Sequence, residues 1–69
     1  MTNRRSHMPS DPTRAAFVEQ VRDIQQRTAS QTDDRWLISW MVNNDERTVT
    51  YASEYGWPAT LEAIAEALR

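Results

Sequence analysis

The chain has 69 residues, no cysteine, one glycine and a formal net charge of −2 at pH 7. That length leaves room for one domain of marginal stability, and the lack of cysteine excludes disulfides, thiolate metal sites and cysteine nucleophiles. Residues 1–10 hold two arginines and no acid, whereas residues 11–69 hold six arginines against ten acidic residues, a net charge of −4 that is unlike a nucleic-acid-binding surface.

Residues 1–10 predict a flexible N-terminal arm, because they are polar and show no periodicity. The triplet SHM at residues 6–8 is also typical of a cloning remnant, so the arm is either native sequence or in part such a remnant. The arm lacks the apolar stretch of a signal peptide, and no run approaches the roughly 20 apolar residues that span a bilayer. We expect a cytoplasmic protein with a single domain over residues 11–69.

The first predicted helix begins at Asp11 and Pro12. An aspartate can cap free backbone amides, and a proline in the first turn loses no hydrogen bond. An apolar stripe then recurs at helical spacing, made by Phe17, Val18, Val21, Ile24 and Thr28. We expect this helix to end near Ala29.

Residues 36–53 predict a β-hairpin. From Trp36 to Val42 the side chains alternate with the period of a strand, and the β-branched run from Arg47 to Ser53 predicts a second strand. The segment 43–46 has the Asn and Asp content of a tight turn. One face of the sheet should enter the core, and it comprises Trp36, Ile38, Trp40, Val42, Val49 and Tyr51. The other face is intermediate in polarity and comprises Leu37, Ser39, Met41, Thr48, Thr50 and Ala52.

A second helix is predicted after the turn at Gly56. Pro58 suits a helix start, and an apolar stripe follows at helical spacing through Leu61, Ile64, Ala65 and Leu68. The predicted fold class is therefore α+β: a helix–β-hairpin–helix (αββα) domain with a two-stranded antiparallel sheet packed on two helices. This element order over residues 12–69 resembles the small head–tail joining proteins of tailed phages, and the resemblance implies an assembly role.

The residues that could carry catalysis are few and scattered. The only histidine, His7, lies in the arm, and a single glycine excludes a glycine-rich phosphate loop. The neighbouring carboxylates are typical of solvated turns or of a helix edge; they are Asp33 with Asp34, Asp45 with Glu46, and Glu62 with Glu66. We expect no enzymatic activity, no cofactor and no metal site.

The preferred hypothesis is a noncatalytic protein–protein interaction module that acts as a regulator, inhibitor or adaptor and self-associates, as a homodimer. A lone hairpin leaves both strand edges open, and aromatic residues are enriched where interfaces gain most of their energy. The predicted partner-binding residues are Leu37 and Met41 on the second sheet face, with Tyr55 and Trp57 beside the turn.

Two alternatives remain open. A nucleic-acid-associated regulator would grip phosphates with the arginines of the arm, Arg4 and Arg5, and with Arg14 next to them. A phage-type assembly or head–tail joining component is the role that the resemblance implies. A membrane partner is not expected from this sequence.

Overall fold

The computed structural model describes residues 8–28 and 33–69, and this part of the chain contains helices and no strand. Four helices follow one another here: α1 (Asp11–Thr28), α2 (Asp34–Asn44), α3 (Glu46–Tyr55) and α4 (Trp57–Ala67). The predicted α+β fold is therefore wrong. The first and last predicted helices are confirmed, but α2 and α3 replace the two strands of the hairpin.

The segment from Trp36 to Val42 satisfies the period of a helix as well as that of a strand. Only Ser39 is polar in it, so alternation is a weak signal there. Leu37 and Met41 are four residues apart, which places them on one helical face. Because helix propensities of ordinary residues differ by less than about 1 kcal/mol, burial of that face decides the local structure.

α1 begins at Asp11, and the residue before it, Ser10, is its N-terminal cap. The backbone N–H of Thr13 donates to Ser10 Oγ at 3.3 Å, and that of Arg14 donates to the Ser10 carbonyl at 2.9 Å. The start at Asp11 is confirmed, but Ser10 rather than Asp11 supplies the cap. Asp11 instead contributes a negative charge to the first turn, where the helix dipole favours it.

Single residues connect α2 to α3 and α3 to α4. The N–H of Asp45 donates to the Met41 carbonyl at 3.0 Å, and its own carbonyl accepts from Val49 N at 3.2 Å. Asp45 thus ends one helix and starts the next, where a hairpin turn was predicted. Gly56 does the same between α3 and α4, with φ at 93° and ψ at 153°, a conformation open almost only to glycine.

α4 is central, because it packs against both α1 and α3, while α2 packs on the outer side of α3. The described core consists of Phe17, Val18, Val21, Leu37, Met41, Tyr51, Ala63, Ile64 and Ala67. Two of the buried α4 residues are alanines, and side chains of that size permit close approach of neighbouring helices.

The buried faces differ from those predicted. Trp36, Trp40 and Val49 were placed in the core through the sheet face, and Leu61 through the stripe of the last helix, yet all four are exposed. The predicted outer face of the sheet supplies buried residues instead, namely Leu37, Met41, Thr48 and Ala52. The reason is the change of period: a helix turns about 100° per residue, so residues two apart no longer share a side.

Candidate interaction surfaces

Two tryptophans form an exposed aromatic surface on α2, called here the tryptophan face. Trp36 and Trp40 are 47% and 37% exposed. Their rings stack with centroids 6.3 Å apart and planes 14° from parallel. Residues four apart lie next to each other on a helix, so the two indoles form one continuous apolar surface.

The predicted partner-binding residues separate into two groups. Leu37 and Met41 are only 1% and 0% exposed. Their predicted role depended on the outer face of a sheet, and within α2 they point into the core, so the folded chain does not offer them to a partner. Tyr55 is half-buried and Trp57 is exposed; a partner-binding role for these two stays a prediction.

Arg14 forms an ion pair that joins α1 to α4. Its Nη2 lies 2.7 Å from Glu66 Oε1. This hydrogen bond raises the pKa of Arg14 above its ordinary value and lowers the pKa of Glu66 below its own. The guanidinium predicted to hold a phosphate thus already binds a carboxylate, while Arg4 and Arg5 lie outside the described residues.

Two of the neighbouring carboxylates named in the sequence, Asp33 and Asp45, have structural partners. Asp33 Oδ1 accepts a hydrogen bond from Trp36 N at 2.9 Å and caps α2. Asp45 Oδ2 accepts from Thr48 Oγ1 at 2.7 Å and from Gln20 Nε2 at 3.1 Å. These contacts fix helix ends and junctions, so the roles that the structure gives these groups are structural.

A second surface is a groove between α1 and α3, called here the α1–α3 groove. Its volume is about 750 Å³. Aromatic rings form its base: Phe17 and Tyr51 stack with centroids 4.1 Å apart and planes 13° from parallel, and Tyr55 meets Tyr51 edge-on at 4.8 Å. The faces of Phe17 and Tyr51 largely cover each other, so the groove has an aromatic base that is mostly buried and an opening to solvent.

Acidic side chains surround this aromatic base. The four carboxylates that line the groove are Glu19, Asp23, Glu46 and Glu54. Arg47 is the only basic residue lining it within the described part of the chain. Its Nη1 donates to Gln20 Oε1 at 3.0 Å, an amide oxygen and not an oxygen of one of the lining carboxylates. The groove is therefore negative overall.

Tyr51 has a hydroxyl group that finds no hydrogen-bond partner among the described residues. The side chain is buried, and burial raises the pKa of Tyr51, against an opposing effect of the Arg14 charge. The phenol therefore remains a protonated donor near neutral pH. A buried polar group without a partner is unusual in folded proteins.

Sequence reasoning did not find the α1–α3 groove. Its α3 side is built from Glu46, Thr50 and Glu54, which share a helix face at spacings of four. In a strand these residues also share a face, but with Thr48 and Ala52 between them, which the structure buries. The only usable signal is the acidic spacing, and it becomes visible once α3 is treated as a helix.

No group of His, Cys, Asp or Glu within residues 8–28 and 33–69 is arranged to hold a metal ion. No helix in the same ranges is long and apolar enough to cross a membrane. No protein-family model matches the chain, and no curated protein and no solved structure matches it either. The resemblance to phage head–tail joining proteins depended on a helix–hairpin–helix order, which the all-helical fold does not share.

Proposed function

We propose that this chain is a noncatalytic protein-interaction module that forms a homodimer through the tryptophan face of α2. The observation that carries the proposal is the pair of stacked, exposed indoles on a helix whose adjoining side packs in the core. Each Å² of apolar surface removed from water contributes about 25 cal/mol. Tryptophan is also the residue type most enriched at interface positions that dominate binding.

A second copy of the chain suits this surface. In a two-fold dimer the same face meets itself, and two α2 helices running antiparallel would bring Trp36 of each copy near Trp40 of the other. α2 has no basic residue in its last turn, where the carbonyl groups carry partial negative charge. In the antiparallel arrangement Arg35 of each copy would lie at that end of the other helix.

Size and charge favour the same reading. A domain of this length gains stability from association, because its own core is small. The acidic body beyond residue 10 and the ion pair of Arg14 with Glu66 favour a protein partner over nucleic acid. A chain without cysteine forms no disulfides and so does not require an oxidising compartment, which favours the cytoplasm. As a dimer there, it would act as a regulator, inhibitor or adaptor.

Light scattering on a size-exclusion column tests the proposal over a series from micromolar to millimolar chain. We expect the mass of the wild-type chain to rise to that of a dimer, and a double variant, Trp36→Ser with Trp40→Ser, to stay monomeric. Trp57→Ser is the matched control, because Trp57 is equally exposed but lies on α4. Circular dichroism confirms that each variant keeps its helices.

Three results would overturn the proposal. A wild-type chain that stays monomeric throughout the series does not self-associate. A dimer that survives in the double variant uses another surface. If Trp57→Ser abolishes the dimer and the double variant does not, the interface includes α4, in line with the partner-binding role predicted for Trp57.

A further inference from the structure

The α1–α3 groove carries an inference that does not depend on self-association. We propose that it binds a short, positively charged segment of a partner protein, one that presents a single apolar side chain flanked by arginine or lysine. Three independent features carry the proposal: the aromatic base of the groove, the charge around it and its size.

The aromatic base fits an apolar side chain. Phe17 and Tyr51 stack on one another and are mostly buried, while the half-buried Tyr55 meets Tyr51 edge-on beside them. The ring atoms left open to the groove offer apolar area to a ligand. An apolar side chain would contact these atoms, and the basic residues next to it would reach the surrounding carboxylates.

The charge around the base selects a cation. Among the described residues neither Glu19 nor Glu46 forms an ion pair, whereas Asp23 binds Arg27 at 2.7 Å. These carboxylates repel phosphate groups, so nucleic acid and anionic lipid are poor occupants. A basic peptide would pair with them and gain electrostatic steering on its approach.

The dimensions fit a few residues of peptide. Along α1 the groove extends from Thr13 to Asp23, which corresponds to about 15 Å at 1.5 Å per residue. An extended chain advances about 3.3 Å per residue, so four to five residues fill that length. The volume of about 750 Å³ lies within the range of ligand sites in proteins.

The test is a titration of the full chain, labelled with nitrogen-15, by an N-acetylated, C-amidated Arg-Lys-Phe-Lys-Arg pentapeptide. We expect the amide signals of Ala16 and Thr50, on the two sides of the groove, to shift in a saturable manner. The same pentapeptide with glutamate in place of each basic residue should cause no such shifts. The titration is repeated on the double variant, Trp36→Ser with Trp40→Ser, so that self-association through the tryptophan face does not contribute to the shifts.

Three charge variants sharpen the test. Glu46→Gln should weaken binding about two- to five-fold, the effect of one exposed charge pair. Arg47→Gln should strengthen it by a similar factor of about two to five, because Arg47 is the one basic residue among the described residues that lines the groove. Glu62→Gln is the matched control: it removes the same charge on α4, outside the groove, and should leave the affinity unchanged.

Several outcomes would overturn the proposal. These are an absence of groove shifts at millimolar peptide, equal binding of the acidic peptide, or an effect of Glu62→Gln as large as that of Glu46→Gln. Groove signals that move with chain concentration and no peptide would assign the groove to a second copy instead. The first three outcomes do not bear on the tryptophan face, whose test is the oligomeric mass. The fourth does, and a double variant of the tryptophan face that still dimerises would identify the groove as the interface.

Discussion

The two faces of α2 are both apolar, yet only one of them is buried. Leu37 and Met41 lie in the core, while Trp36 and Trp40, the larger side chains, remain exposed. A small core is expected to use its largest aromatic residues. For that reason the sequence-based prediction buried the tryptophans and exposed Leu37 and Met41, the reverse of what the structure shows. The comparison teaches that the position of a residue relative to neighbouring helices, and not its size, decides its burial.

α4 shows the same inversion on a smaller scale. The buried residues of its inner face include Ala63 and Ala67, whereas Leu61 is exposed. The helix was predicted correctly, but only part of its stripe is buried: Ile64, which is as large as Leu61, lies in the core. Both helices thus carry a large apolar side chain outside their buried face.

The largest expected effect comes from truncating the buried face of α2. Met41→Ala should cost about 2–5 kcal/mol of unfolding free energy, since it leaves a cavity in a packed core. Trp40→Ala removes a larger but exposed side chain, and should cost the monomer less than about 1 kcal/mol. Urea denaturation at a concentration where the chain is monomeric measures both. A greater loss in Trp40→Ala would reverse the comparison and return the tryptophans to the core.

A smaller effect is expected at the junction that brings α4 back to the core shared with α2. Gly56→Ala should cost about 1–3 kcal/mol, because φ at 93° with ψ at 153° is strained for any residue with a Cβ. Space is not the cause: an added Cβ would meet only Pro58 Cδ, at 3.8 Å. Thermal unfolding measures the loss, with the exposed Ser53→Ala on α3 as control. An unchanged melting temperature would mean that the junction does not hold this conformation.

The smallest effect tests whether α2 is a helix at all. Asp33→Ala removes the acceptor of the Trp36 N–H and should cost about 1 kcal/mol, the usual effect of losing a helix cap. Asp33→Asn keeps an acceptor and should restore most of the stability, as urea denaturation of the two variants would show. Equal stability of the wild type and both variants would instead fit the predicted hairpin, in which residue 33 lies in the loop before the first strand.

The ends of the chain could be predicted because their signals are local. Proline near each helix start and clear helical spacing in α1 and α4 are unambiguous, and both helices are present. The middle could not, because Thr48 to Tyr51 are typical strand residues and residues 36–42 fit two periods. The helical outcome depends on which side chains of α2 and α3 are buried against other helices, and no local pattern contains that information.

The surfaces were less predictable than the fold. The groove requires α1 and α3 to lie side by side, and Phe17 meets Tyr51, which is 34 positions further along the chain. Tyr55 was selected for its place near a turn and lies in the groove for another reason, its edge contact with Tyr51. Trp36 and Trp40 share a face in a strand as well as in a helix, so the sequence grouped them, but the predicted sheet placed that face in the core and not on the surface.

The one-residue junctions at Asp45 and Gly56 have a consequence for inheritance. Each ends one helix and begins the next through its own N–H and carbonyl. Because a helix turns by about 100° per residue, one residue inserted at a junction would rotate the helices after it relative to the helices before it. Among homologues of this chain we therefore expect the number of residues between α2 and α4 to be conserved more strictly than the identities of those residues.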